Sequence, residues 1–111
     1  MKRWIPFLKS DPTVALVRLS GIISASGRGT LNDATLAPVI EKAFTRGKPD
    51  AVVLEINSPG GSPVQSSLIG ARISRLAEEK EVPVLALVED VSASGGSWLA
   101  AAADEIYADD S

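Results

Sequence analysis

Apolar positions change period several times along the chain, and each change marks an element. TVALVRLSG (13–21) alternates and is rich in β-branched residues, which predicts a strand. In DATLAPVIEKAFTRG (33–47), Leu36, Val39, Ile40, Ala43 and Phe44 recur at helical spacing, and Gly47 stands where a helix-ending glycine belongs. Pro38 falls early in that helix, where a missing amide is tolerated best. AVVLEIN (51–57) is almost continuously apolar, the pattern of a strand covered on both faces. A second amphipathic stripe, Leu68, Ile69, Ile73, Leu76 and Ala77, runs through 64–79. PVLALVED (83–90) reads as another buried strand, SGGSWLAAAA (94–103) as a short helix and DEIYADD (104–110) as a further strand. The order β-α-β-α-β-α-β predicts an α/β fold whose parallel strands are joined by right-handed crossovers. Residues 13–111 read as part of one domain, preceded by an arm over 1–12; ISASGRGTLN (23–32) is a connecting loop.

Composition removes several classes of function. The chain has 111 residues, is 45% hydrophobic and 23% charged, and contains neither cysteine nor histidine. Disulfides and thiolate metal sites are therefore excluded, and the commonest general base and metal ligand is missing. A net charge of −3 without a Lys/Arg stripe argues against a nucleic-acid partner. In the arm MKRWIPFLKSDP, the apolar patch from Trp4 to Leu8 is interrupted by Pro6. It is too short for a signal peptide, and a membrane span needs about 20 residues. The expected location is cytoplasmic, with at most a peripheral membrane contact through the arm.

Glycine is concentrated in two turns, SPGG (58–61) and SASGG (92–96). Each follows a predicted strand and precedes a predicted helix, at the edge where open α/β sheets bind ligands. Helix amino termini at that edge offer unpaired N–H groups and a dipole that favours developing negative charge. Neither turn is followed by the lysine of a phosphate loop, and GRGTLN (27–32) keeps only the first two glycines of a dinucleotide fingerprint. SASGG nearly matches the G-x-S-x-G turn that presents a nucleophilic serine, with Ser92 in place of the first glycine. Either turn alone reads as a plain tight turn; together they point to an oxyanion site beside a serine.

These residues carry a family resemblance. AVVLEINSPGGSPVQSS (51–67), then a helix, then PVLALVEDVSASGGSWLAAAADEIYAD (83–109) resembles the signal peptide peptidase A family of serine peptidases, which share the Clp protease and crotonase fold. VALVRLSGII (14–23) resembles the family's opening strand, so the likeness covers nearly the whole chain. The resemblance implies that Ser94 is the nucleophile and that the amides of Gly61 and Gly95 form the oxyanion hole. Gly60 and Ser62 are the implied substrate contacts, with a peptide lying extended beside the turns like an added strand. Gly61, lacking a Cβ, is expected to let a substrate carbonyl approach its backbone. No cofactor and no metal are implied; peptide substrates and a homo-oligomer are.

The other polar residues have plainer readings. Serines at 58, 62 and 92 suit turn and cap chemistry, Ser97 a solvent-facing first turn, and Trp98 core packing. Asn57 is expected to tie down the SPGG turn. Asp104, Glu105, Asp109 and Asp110 read as a solvated strand edge. A base is harder to find. The family uses a lysine well downstream of the serine, whereas no Lys, Arg or His follows Ser94 here. Lys42, Lys48 and Lys80 fall on helices or their ends, and Lys2 and Lys9 on the arm. The chain thus reads as the amino-terminal part of a Ser–Lys peptidase, carrying nucleophile and oxyanion hole without the base. A non-catalytic scaffold subunit and a crotonase-like acyl-CoA enzyme are the alternatives.

Overall fold

A computed structural model describes residues 12–89 and 102–108. Four strands, β1 (Val14–Ser20), β2 (Ala51–Asn57), β3 (Val84–Val88) and β4 (Glu105–Ala108), pair in the order β1-β2-β3-β4. Every pairing is parallel, with Val17 opposite Leu54, Leu54 opposite Ala86 and Ala86 opposite Ile106. Two helices, α1 (Asp33–Thr45) and α2 (Pro63–Lys80), make the first two crossovers. The helix expected over 94–103 lies largely outside the described residues.

Sequential strand order has a direct consequence. Right-handed crossovers between neighbouring parallel strands put every connecting helix on the same face. Ile40, Phe44, Ile69, Ile73 and Leu76 from the helices accordingly share one buried cluster with Val17, Leu19, Val52, Leu54, Ile56, Val84, Ala86 and Val88. The other strand face carries two cross-strand rows, Leu16, Val53, Leu85 and Glu105 in one and Arg18, Glu55, Leu87 and Tyr107 in the next. Leu16 is 53% exposed and Leu87 43%. β2 and β3 were expected to be covered on both faces; among the described residues, helices cover one.

The helix ends follow local chemistry. Asn32 caps α1 by accepting the Thr35 amide at 2.9 Å, and Gly47, at φ +71, takes the left-handed position after the cap residue Arg46. Ser62 caps α2 by accepting the Gln65 amide at 3.1 Å, with Pro63 at the first helical position. Pro38 departs from expectation. It lies inside α1, beyond the first turn, where a missing amide removes a helical bond, and it sits on the exposed side.

Candidate active site

The turn from β2 into α2 is built by main-chain bonds to a distant loop. Ser58 is fully buried, and its hydroxyl accepts the Gly60 amide at 3.1 Å. Ile23, leaving β1, donates its N–H to the Gly60 carbonyl at 2.9 Å and accepts the Ser62 N–H at 2.8 Å. Ile23 also bridges Leu31 in parallel. In a parallel bridge, the residue facing the flanking bonds turns its own N–H and C=O the other way. The Gly61 amide therefore points away from Ile23, on an exposed residue at the carboxyl edge of the sheet, just before the amino terminus of α2.

Gly61 must be glycine for a reason other than the expected one. Its φ is +143, and a Cβ there would overlap the carbonyl oxygen of Ile23. The missing side chain makes room for the protein's own backbone, so the expectation of a space kept for a substrate carbonyl is corrected. Gly60 is buried, with its amide on Ser58 and its carbonyl on Ile23. The Ser62 hydroxyl caps α2, and its carbonyl accepts the Ser66 amide at 3.0 Å and the Ser66 hydroxyl at 2.9 Å. The structure thus places Gly60, Gly61 and Ser62 on one rigid turn. Ser94 and Gly95 lie outside the described residues, as do Ser92, Ser97 and Trp98. Asn57 accepts the Gly21 amide through its main-chain carbonyl at 3.1 Å; the bond that ties the turn internally comes from Ser58.

Among the described lysines, Lys42 lies on α1, Lys48 just after it and Lys80 at the end of α2. All three are exposed. Each precedes a strand, which puts it toward the amino edge of the sheet, opposite Gly61. A groove of about 470 Å³ lies away from the turn, between β1 and α1, with Leu16, Val39, Lys42 and Arg46 in its lining. It holds no serine. Asp104, read as a solvated edge residue, clamps the sheet: its amide donates to the Val84 carbonyl and its carboxylate accepts the Val84 amide, both at 2.7 Å.

Three side chains that the sequence did not single out stand behind the turn. Gln65 Oε1 accepts the Asp33 amide at 2.8 Å, joining the first turns of α2 and α1. Arg72 grips both Asp33 carboxylate oxygens, at 2.9 and 3.0 Å, and reaches Glu41 at 2.6 Å. The Arg72 guanidinium bonded to Asp33 holds that carboxyl below its ordinary value, against the opposing effect of burial. The Asp33 carboxylate in turn raises Arg72 further. No motif announced these pairs, because they join residues 32 and 39 positions apart. Ile23 and Leu31, at 1% and 6% exposure, were read as plain loop; two isolated apolar residues flanking a polar stretch were the available signal.

The model of peptidase family S49 matches residues 76–111. The Arabidopsis thaliana protein named serine protease SPPA, chloroplastic, is 36% identical over 117 residues, covering 98% of this chain. Protease 4 of Haemophilus influenzae is 34% identical over 98 residues, covering 86% of it. A Brucella melitensis protein named Na(+)/H(+) antiporter NhaA is 48% identical over 116 residues and spans all of it. The chain covers only 16% or 17% of the length of these relatives. The stretch shared with the antiporter relative is essentially the stretch shared with the two proteases. Among the described residues, no helix is long and apolar enough to cross a membrane.

Proposed function

Because the chain belongs to the signal peptide peptidase A family, peptidase family S49, we propose that it supplies the nucleophile and oxyanion hole of a Ser–Lys endopeptidase acting on extended peptides. Ser94 Oγ attacks the scissile carbonyl, forming a C–O bond, and the amides of Gly61 and Gly95 bind the resulting oxyanion. The hydroxyl proton passes to a lysine amine and from there to the departing amine as the C–N bond breaks. Water then hydrolyses the acyl-enzyme, with the same lysine as base. The observation that carries this reading is the Gly61 amide, turned out at the carboxyl edge by the bonds from Ile23 to its neighbours.

None of the described lysines suits the role of base, and Lys2 and Lys9 lie outside the described residues. Lys42, Lys48 and Lys80 are exposed and lie toward the opposite edge, and a lysine acts as base near neutral pH only when burial or a nearby cation lowers its pKa toward about 7–8. Gly60 shapes the turn, since both its backbone groups are engaged, while the Ser62 hydroxyl keeps a proton to donate to a bound peptide. Self-association belongs to the same reading, because Leu16, Leu87 and Tyr107, on the strand face that no described helix covers, are 53%, 43% and 52% exposed. The cytoplasmic or peripheral membrane location expected from the arm is likewise part of the proposal.

The test is to replace Ser94 by alanine in the natural protein that carries this chain, and to map the adduct of a serine-directed phosphonate by mass spectrometry. Loss of peptidase activity with the fold intact, and label on Ser94, are expected. Label on another serine, or activity retained in the alanine variant, overturns the assignment. An intact fold with no peptidase activity in the wild type favours the scaffold alternative.

A further inference from the structure

The Gly61 amide is useful as an oxyanion donor only if its direction is fixed, because a displacement of about 1 Å at a catalytic group can remove much of its effect. One side of its fixing is Ile23, through the bonds at 2.9 and 2.8 Å that flank Gly61. Ile23, however, sits in the connection between β1 and α1 and needs an anchor of its own. That anchor is Leu31, which donates to the Ile22 carbonyl at 2.8 Å and accepts the Ser24 amide at 3.0 Å. Leu31 runs through the cap residue Asn32 into Asp33, the first residue of α1.

Here the path meets Gln65. The Asp33 amide is one of the first-turn donors that a helix cannot satisfy internally. The α1 cap does not take it, since Asn32 accepts from Thr35 instead. Gln65 Oε1 takes it, at 2.8 Å, from the first turn of α2. The Gln65 amide is itself bonded to Ser62, the residue after Gly61. A ring therefore closes: Gly61, Ser62, Gln65, Asp33, Asn32, Leu31, Ile23 and back to Gly61. Arg72 braces it from behind through both oxygens of Asp33.

We infer that Gln65 is a positioning residue for the Gly61 amide, acting through the Asp33 N–H, with Arg72 holding Asp33 in place. The inference rests on the peptidase reading above and adds to it a residue that touches no substrate. Gln65 is where the ring can be opened by a single atom, because among the described residues its side-chain carbonyl links the two helix starts without involving Arg72.

The experiment uses the natural protein that carries this chain and two variants. Gln65→Met keeps the volume and removes the acceptor; Gln65→Glu keeps an acceptor oxygen at the same reach. Active sites are titrated with the phosphonate, so that kcat is expressed per competent site. Gln65→Met is expected to lower kcat about tenfold, a fraction of the 100- to 1,000-fold attached to losing a whole oxyanion donor, with KM unchanged. Gln65→Glu is expected to restore most of it. A methionine variant with wild-type kcat per titrated site overturns the inference, as does one whose loss is entirely in the number of competent sites. If Ser94→Ala keeps full activity, the peptidase reading falls and this inference with it. If Ser94 proves to be the nucleophile and the methionine variant is unimpaired, only this inference falls.

Discussion

Two turns leave the carboxyl edge of the sheet among the described residues, and both contain two or more glycines at positive φ. The turn after β1 carries Gly21, Gly27 and Gly29, at φ +114, +110 and +68; the turn after β2 carries Gly60 and Gly61, at +103 and +143. The stretch from Ser24 to Thr30 in the first is held by its own side chains, Ser24 Oγ on the Ser26 carbonyl and Thr30 Oγ1 on that of Gly27, each at 2.9 Å. Nothing lies within 4 Å of the Cβ position of Gly29. The second turn is held from outside, by Ile23, and the corresponding position on Gly61 is occupied by backbone. Gly29 serves conformational freedom and Gly61 close approach, while Gly21, whose Cβ position lies 2.9 Å from the Gly29 carbonyl oxygen, admits backbone within the first turn itself. The second use is what a preorganised donor needs, because a backbone wedged against another backbone cannot swing.

The comparison predicts its largest effect at Gly61. Gly61→Ala combines a strained φ with overlap of the Ile23 carbonyl, two effects of about 1–3 kcal/mol each. A loss of about 4 kcal/mol in unfolding free energy is expected from denaturant titration of the natural protein. A stability within 1 kcal/mol of wild type, on the order of an ordinary surface change, would mean that the turn yields and the two turns are alike.

Much of this architecture was legible because it is written in local patterns. β2 is read from its apolar run over the same residues, 51–57, that the structure assigns. Gly47 and Ser62 mark a helix end and a helix start through cap chemistry that needs only neighbouring residues. The turn carrying Gly60, Gly61 and Ser62 was legible as a strand-to-helix turn, because two glycines and a cap serine there separate an apolar run from an amphipathic one. What was not legible is long-range. The Gln65 to Asp33 bond and the Arg72 to Asp33 pair depend on how two helices lie on the sheet, and polar residues on amphipathic helices look solvated from the sequence. Which face of β2 the described helices take is not local either: strand order, not strand composition, decides it.

The next effect in size concerns the outside support of the short turn. Arg72→Ala removes a two-pronged grip on Asp33 and the contact to Glu41, with Arg72 and Asp33 side chains 22% and 20% exposed. A loss of about 1–2 kcal/mol is expected. Hydrogen exchange should then speed up at the Asp33 and Ser62 amides and stay unchanged at Gly29, in the self-held turn. Acceleration at all three would show that the turns share one support.

The same pair gives a pH signature. Asp33 is held below its ordinary value, chiefly by the hydrogen bonds from Arg72, so its carboxylate is favoured in the folded state. A depressed folded value stabilises the protein above the unfolded carboxyl value of about 3.9, and that stability is lost as pH falls through the folded value. Asp33→Asn should therefore be less stable than wild type at neutral pH, and the difference should shrink below about pH 4. A difference that persists unchanged at low pH would assign the effect to the shape of the amide and not to charge.

The smallest effect belongs to the long turn and completes the contrast. Gly29 sits at φ +68 with open space around it, so a methyl group meets no atom and only the left-handed backbone is unfavourable. Gly29→Ala should cost about 1 kcal/mol. Gly29→Asn should cost less, since asparagine enters that region more readily than alanine. Both variants should leave kcat per titrated site unchanged, because Gly29 lies outside the ring that fixes Gly61. If Gly29→Ala were as damaging as Gly61→Ala, or if it lowered kcat, the long turn would be bearing on the donor as well. The division between a glycine that frees a loop and a glycine that admits a neighbouring backbone would then fail.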